Sequence, residues 1–237
     1  MTKAILTTLF TLTFVVSPAF TSFSGFEANQ LPIPQVDPPI QPAGYAFSIW
    51  GLIYAWLVVS AAYGLWQRRE DAAWDRARLS LIASLAIGTP WLYVATQSAI
   101  LATIMIIAMA VTAIAAMIMA PQKDRWLFQA PVAIYAGWLT AASCVSIGST
   151  MAGYGIAFES LGWAYAGISI ALVVSLGVYA MRRSAPEYLL TVVWALVGII
   201  VANGMVVWTV SALAAVGIVM LLAATILMGR APKLAVS

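Results

Sequence analysis

The chain has 237 residues, of which 63% are hydrophobic and 8% are charged, and its formal net charge at pH 7 is +3. Since a soluble domain has about 25% charged residues, this composition excludes a water-soluble globule, and the long apolar runs without alternation exclude a β-barrel. The absence of histidine removes the usual axial ligand of haem, the commonest metal ligand and the usual general base.

Eight apolar runs follow one another along the chain, each near the roughly 20 residues that cross a bilayer as a helix. They predict an all-α polytopic membrane protein with about eight transmembrane helices. Residues 1–20 also resemble a secretory signal peptide, but no A-x-A cleavage site follows them, and we expect them to be retained. The predicted spans are 4–20, 44–66, 79–97, 100–120, 127–148, 163–181, 189–203 and 206–228.

The basic residues fall in alternate loops of this map. All of them lie before the first span, after the last, or between spans two and three, four and five, and six and seven. The charged residues of the opposite loops are all acidic, namely Glu27, Asp37 and Glu159. The positive-inside rule therefore predicts that both termini are cytoplasmic, and it accounts for the positive net charge without a nucleic-acid partner. The basic residues are Lys3, Arg68, Arg69, Arg76, Arg78, Lys123, Arg125, Arg182, Arg183, Arg230 and Lys233.

Two loops have an unusual composition. Residues 21–43 contain five prolines, which favour extended backbone and predict either a stiff strap over the outer mouth or a simple spacer. The inner segment QRREDAAWDRAR at 67–78 mixes charges of both signs. It predicts a solvated helical extension with i,i+4 ion pairs.

No acidic or basic residue falls well inside a predicted span. Proton relays and ion-coupled carriers need such groups, and a hydrolase needs a base beside its nucleophile. We therefore predict neither an enzyme nor a proton-driven carrier, and no required cofactor. Cys144 is the one cysteine and lies in a span. It is interpreted as a small packing residue, with a reactive thiol as the alternative.

Aromatic residues cluster at the start of the second span. Phe47, Trp50 and Tyr54 share one helix face by i,i+3 and i,i+4 spacing, and Gly51 beside them leaves space. Aromatic faces offer a large apolar area, and a tyrosine hydroxyl can orient a ligand. The pattern predicts one wall of a pocket for a flat hydrophobic ligand. The alternatives are a lipid-facing belt and ordinary core packing.

Two later spans combine aromatic residues with a proline. Pro90 precedes Trp91 in the third span, and Pro131 precedes Tyr135 and Trp138, an i,i+3 pair, in the fifth. Proline opens a helix locally and frees a carbonyl. We therefore predict that the two prolines shape their helices and that the three aromatic residues line the same pocket. The alternative is that the prolines only shape a tight bundle.

Three segments resemble tryptophan-rich sensory proteins, which are relatives of the translocator protein (peripheral benzodiazepine receptor) family. PAGYAFSIWGLIY at 42–54 is similar to the second helix of that family. APVAIYAGWLTAAS at 130–143 is similar to the fifth helix of its longer branch, and VVWALVGI at 192–199 to a late segment of that branch. Where relatives carry asparagines in the third and fifth helices, this chain has Gly88-Thr89 and Ser143-Cys144.

The resemblance implies a translocator-like core of five helices at 1–148. Three further transmembrane helices and a short cytoplasmic tail follow at 149–237. It also implies binding of a porphyrin, another tetrapyrrole or a similar aromatic ligand, for sensing or passage. We expect a location in the bacterial inner membrane. Carried over by position, the residues that face the ligand are Trp50, Tyr54, Tyr135 and Trp138, with Trp91 near an aromatic position of the third helix.

Two other functions are compatible with the same residues. Small side chains at 113–120 and 211–224 allow close helix approach. They suit an accessory or assembly subunit of a larger membrane complex, or a homodimer, with no small-molecule ligand. A pore without charges also suits a facilitator for a small neutral solute. The expected partners are therefore the lipid bilayer, a hydrophobic small molecule and a membrane protein.

Overall fold

The computed structural model describes residues 1–21, 25–26 and 30–229, and eight α-helices make up most of this part of the chain. All eight are long and apolar enough to cross a membrane, the first with a short 3-10 turn at Ser17–Ala19, and none of the described residues forms a strand. The predicted all-α membrane fold is confirmed. The helices are α1 (Thr2–Val16), α2 (Ile49–Gln67), α3 (Ala72–Gln97), α4 (Ala99–Met119), α5 (Gln129–Gly153), α6 (Ser160–Met181), α7 (Pro186–Asn203) and α8 (Trp208–Gly229).

The observed helix ends differ from the predicted ends by a few residues. The largest difference is at the start of α3, at Ala72 rather than at 79. The next are at the start of α2, at Ile49 rather than at 44, and at the end of α5, at Gly153 rather than at 148. A second 3-10 turn at Gly44–Ser48 leads into α2. The predictions for Glu27, Arg230, Lys233 and the cytoplasmic tail concern positions outside the described residues.

Helix α5 lies at the centre of the bundle. It packs against α2, α4, α6 and α7, and 83% of its membrane-length window is buried. Alanine, glycine and serine are frequent in α5, so neighbouring backbones approach closely. At Gly137, an added Cβ would lie 2.5 Å from the backbone oxygen of Tyr188 in α7. Helices on both sides of α5 therefore share one continuous core.

The mixed-charge segment before the third span is helical from Ala72 onward and forms a turn at 68–71, and it is only partly solvated. Asp71 caps α3 by accepting hydrogen bonds from two backbone N–H groups of its first turn. Trp74 and Arg78 are 2% and 1% exposed. The Arg78 guanidinium donates to the backbone oxygens of Gly64 and Arg68 at 2.9 and 2.8 Å. The prediction of a solvated face holds at Arg69, Glu70 and Arg76, which are exposed. It is wrong at Arg78, because the unpaired carbonyls at the end of α2 draw this cation into the bundle.

Ion pairs join the loops at this end of the bundle. Arg68 Nε lies 2.7 Å from Asp124 Oδ2, and Arg125 Nη2 lies 2.5 Å from Glu187 Oε1. The hydrogen bond from Arg68 holds the pKa of the Asp124 carboxyl below its usual range, so the carboxylate stays ionised at neutral pH. Lys3 donates to a backbone oxygen of α3. These contacts gather the basic loops and the start of α1 at one end, which we call the basic end.

Residues 30–43 form a strap over the opposite end of the bundle. The Ile33 and Ala43 N–H groups donate to backbone oxygens of α5 and α7 at 2.8 and 3.0 Å. Asn203 Nδ2 donates to the backbone oxygen of Pro39 at 2.8 Å. Because its prolines prevent a helix, the strap obtains its hydrogen-bond partners from the helices beneath it.

Ile40 fixes the strap between α5 and α6. Its side chain is 2% exposed, and two glycines make room for it. A Cβ at Gly148 would lie 3.0 Å from Ile40 Cδ1, and a Cβ at Gly167 would lie 2.2 Å from the same atom. Of the two predictions for this loop, the strap agrees with the structure, because a spacer would not be seated among three helices.

Candidate functional site

A cavity of about 400 Å³ lies between α5 and the strap. Its volume falls within the range of small-molecule sites, about 300–1,000 Å³. Helices α1 to α7 all contribute to its wall, and no charged side chain is found among the described residues that line it. An uncharged apolar wall of this size suits a neutral, largely apolar ligand.

The structure brings most of the predicted ligand-binding residues to this cavity. They come from α2, α3, α5 and the 3-10 turn before α2. Tyr135 is the exception, because it is fully buried and does not line the cavity. Its ring centroid lies 6.4 Å from that of Trp50, and its hydroxyl lies 3.0 Å from Ser84 Oγ. Binding by these residues stays a prediction. Those that line the cavity are Phe47, Trp50, Tyr54, Trp91 and Trp138.

The aromatic rings on the two sides of the cavity contact one another. Trp50 stacks on Tyr54 with centroids 5.2 Å apart, as the i,i+4 spacing on α2 allows. Trp138 of α5 meets Trp50 edge to face at 6.2 Å and Phe47 at 5.7 Å. Helices α2 and α5 thus form two walls of an aromatic chamber. We define the aromatic chamber as Phe14, Phe47, Trp50, Tyr54, Trp91 and Trp138.

Phe14 is the member of the chamber that sequence analysis missed. It lies on α1, is 4% exposed, and lines the cavity. Its ring makes edge contacts with Trp50, Tyr54 and Tyr135 at centroid distances of 5.9, 5.5 and 5.6 Å. The signal that points to it is spacing, since the buried residues of α1 are Ala4, Thr7, Thr11 and Phe14, one face of a helix.

The polar groups of the chamber are mainly hydrogen-bond donors. Trp91 Nε1 donates to the backbone oxygen of Ala102 at 2.8 Å. Within the part of the chain that the structure describes, Trp50 Nε1, Trp138 Nε1 and the Tyr54 hydroxyl have no hydrogen-bond partner. An indole N–H can only donate, so these groups suit a ligand that carries acceptor atoms.

Of the residues that the resemblance compares with asparagines, Gly88, Thr89 and Ser143 serve the bundle, whereas Cys144 lines the cavity. Thr89 donates to the backbone oxygen of Leu85, and Ser143 donates to that of Ile106. Gly88 leaves room for Phe14, because an added Cβ would lie 2.7 Å from that ring. The indole and phenol groups of the chamber are donors for a ligand, and the Gln41 amide and the Ser149 hydroxyl also line the cavity.

Two predictions about the surroundings of the aromatic residues need correction. Pro90 lies inside α3, as predicted. Pro131 instead lies in the first turn of α5, where the N–H groups have no helical partner, so it frees no carbonyl inside the helix. Gly51 is exposed and does not line the cavity. The space beside Trp50 comes from the gap between helices rather than from that glycine.

Comparison with known proteins gives one match that covers nearly the whole chain. The family model described as TSPO-like protein matches residues 3–227. The chain belongs to the TSPO-like family. No curated protein and no solved structure gives a match.

The TSPO-like match extends from α1 into α8. It thus includes the helices of the aromatic chamber as well as α6 and α7, which complete the cavity wall. The chain is a TSPO-like integral membrane protein, and its described residues form eight membrane-length helices. The division into a core at 1–148 and added helices at 149–237 stays a prediction, as does the retention of residues 1–20.

Proposed function

We propose that this TSPO-like protein binds a hydrophobic aromatic ligand, such as a tetrapyrrole, in the aromatic chamber, for sensing or passage. The observation that carries the proposal is the convergence of aromatic residues from α1, α2, α3 and α5 on one cavity, whose described wall has no charged side chain. Their faces provide apolar area for a flat molecule. The unpaired indole and phenol groups can hold its acceptor atoms.

Titration with protoporphyrin IX dimethyl ester tests this proposal, since this ester is neutral and the described residues of the cavity wall include no charged side chain. In purified protein we expect saturable quenching of tryptophan fluorescence at micromolar ligand. Trp50→Ala removes the ring that contacts Tyr54 and Trp138. We expect it to weaken binding at least about tenfold, or ~1.4 kcal/mol.

Trp56→Ala is the matched control for that substitution. Trp56 lies on the same helix but outside the cavity, where it stacks on Trp126 and donates to its backbone oxygen at 2.7 Å. Trp56→Ala removes the same type of side chain, and we expect this variant to bind the porphyrin ester with wild-type affinity. Equal affinity of the two variants and the wild type would contradict binding in the chamber.

Cys144 gives a second readout of the same titration. It is the one cysteine of the chain and lines the cavity. A ligand in the cavity is expected to slow alkylation of Cys144 by N-phenylmaleimide, whereas a ligand dissolved in the micelle leaves the rate unchanged. Cys144→Ser sets the background. If quenching is linear and the alkylation rate is unchanged, the predicted alternative of an accessory subunit becomes the function to pursue.

The orientation in the membrane is part of the proposal. We place the basic end in the cytoplasm of a bacterial cell and the strap outside the inner membrane, with both termini inside. The support is the collection of Lys3, Arg68 and Arg125 at one end and the positive-inside rule. We expect a C-terminal green fluorescent protein fusion to fluoresce and a C-terminal alkaline phosphatase fusion to be inactive. The reverse pattern would contradict this orientation.

A further inference from the structure

The cavity has a second part, formed by helices that lie outside the aromatic chamber. Helices α6 and α7 supply only aliphatic side chains and one glycine to its wall. Ile40 and Pro42 of the strap line it as well. We define the aliphatic lobe as Ile168, Ala171, Val192, Ala195, Leu196 and Ile199.

Helix α5 connects the two parts. Because successive residues of a helix are rotated by about 100°, Val145 and Ala141 come between Trp138, in the chamber, and Cys144. All four residues line the cavity. The small side chains along this face of α5 therefore leave a continuous path from the chamber to the lobe.

The two parts differ in chemistry. Three donors that have no hydrogen-bond partner among the described residues, Trp50 Nε1, Trp138 Nε1 and the Tyr54 hydroxyl, belong to the chamber. The lobe has neither an aromatic ring nor a polar side chain. A ligand that occupies both the chamber and the lobe is therefore expected to be aromatic, with acceptor atoms, at one end and aliphatic at the other.

We infer that the ligand consists of a neutral aromatic head with hydrogen-bond acceptors and an attached aliphatic chain. The head lies in the chamber and the chain in the lobe. This inference rests on the proposed function and adds the class of ligand to it. Lipid tails are as apolar as the chain, so the lobe selects the chain by packing rather than by transfer out of water.

A pair of fluorescent compounds tests the inference. Anthracene-9-carboxamide has the head alone, and its N-octyl derivative adds the chain. Binding of both is measured in nanodiscs by energy transfer from tryptophan, at a fixed lipid concentration. Because partition into lipid is then the same for every protein variant, the ratio of variant to wild-type affinity reports the cavity.

Ala195→Leu fills the lobe from α7, and Ala171→Leu fills it from α6. We expect each to weaken binding of the octyl compound at least about tenfold and to change binding of the parent compound less than about twofold. Ala202→Leu is the matched control, since Ala202 is exposed on α7 and does not line the cavity. It is expected to change neither affinity. Unaltered binding of the parent compound also shows that the filled variants are folded.

Two results would overturn the inference while the proposed function stands. One is wild-type affinity for the octyl compound in both filled variants, which would mean that the chain lies in the lipid. The other is an equal loss of affinity for both compounds in the filled variants, which would mean that the lobe does not distinguish the chain. Failure of the wild type to bind the parent compound saturably would instead contradict the proposed function, and the inference with it.

Discussion

Phe14→Ala is expected to destabilise the protein by about 3 kcal/mol, at the lower end of the range for truncating a buried phenylalanine. The ring is 4% exposed and contacts Trp50, Tyr54 and Tyr135. Its loss leaves a void against α2, α3 and α5 that these rings cannot refill without losing their own contacts. The porphyrin ester should bind less tightly as well, because Trp50 and Tyr54 lose the ring that holds their orientation.

Thermal unfolding in detergent, followed by tryptophan fluorescence, measures the first effect, and the titration described above measures the second. Phe20→Ala is the matched control, since Phe20 follows α1 and is 84% exposed. It is expected to unfold at the wild-type temperature and to bind with wild-type affinity. Identical behaviour of the two variants would show that α1 does not support the chamber.

Gly137→Ala is expected to destabilise the protein by about 2–3 kcal/mol. The added Cβ would lie 2.5 Å from the Tyr188 backbone oxygen and 3.0 Å from Thr191 Cβ. A backbone oxygen inside a helix cannot turn away, so α5 and α7 must separate. The gain from alanine's helix propensity, at most about 1 kcal/mol, does not offset this cost.

Gly177→Ala makes the same change where no atom lies within 4 Å of the added Cβ. Gly177 is exposed on α6, and we expect its replacement to be neutral or to stabilise by up to about 1 kcal/mol. Gly137→Ala should therefore lower the unfolding temperature, whereas Gly177→Ala should leave it unchanged or raise it. A neutral or stabilising effect at both positions would contradict the close contact of α5 with α7.

The sequence predicted the helices well because the bilayer imposes a simple length rule. It predicted much of the chamber for a related reason, since the spacing of Trp50 and Tyr54 places both on one helix face. The rule fails where a helix continues past the apolar run. Arg78 lies inside the bundle because it donates hydrogen bonds to carbonyls at the end of α2. No sequence pattern within 67–78 predicts that contact.

Phe14 was missed because the face of α1 on which it lies is not distinctly apolar. Two residues of that face, Thr7 and Thr11, are polar, yet each hydroxyl donates to a backbone oxygen one turn earlier, both at 2.7 Å. A threonine paired in this way can be buried like an apolar residue. The contribution of α6 and α7 to the cavity could not be predicted either, because it depends on contacts between helices far apart in the chain.

The strap has a consequence for the order of events during synthesis. It is made between α1 and α2, but its partners belong to helices made much later. The Asn203 side chain that binds Pro39 is 164 residues further along the chain. The Trp194 indole that donates to Ala46, in the 3-10 turn that follows the strap, is 148 residues further than Ala46. Contacts of such long range form late. The first helices can therefore enter the membrane one after another, while the strap takes its place over the cavity only after α7 has been inserted.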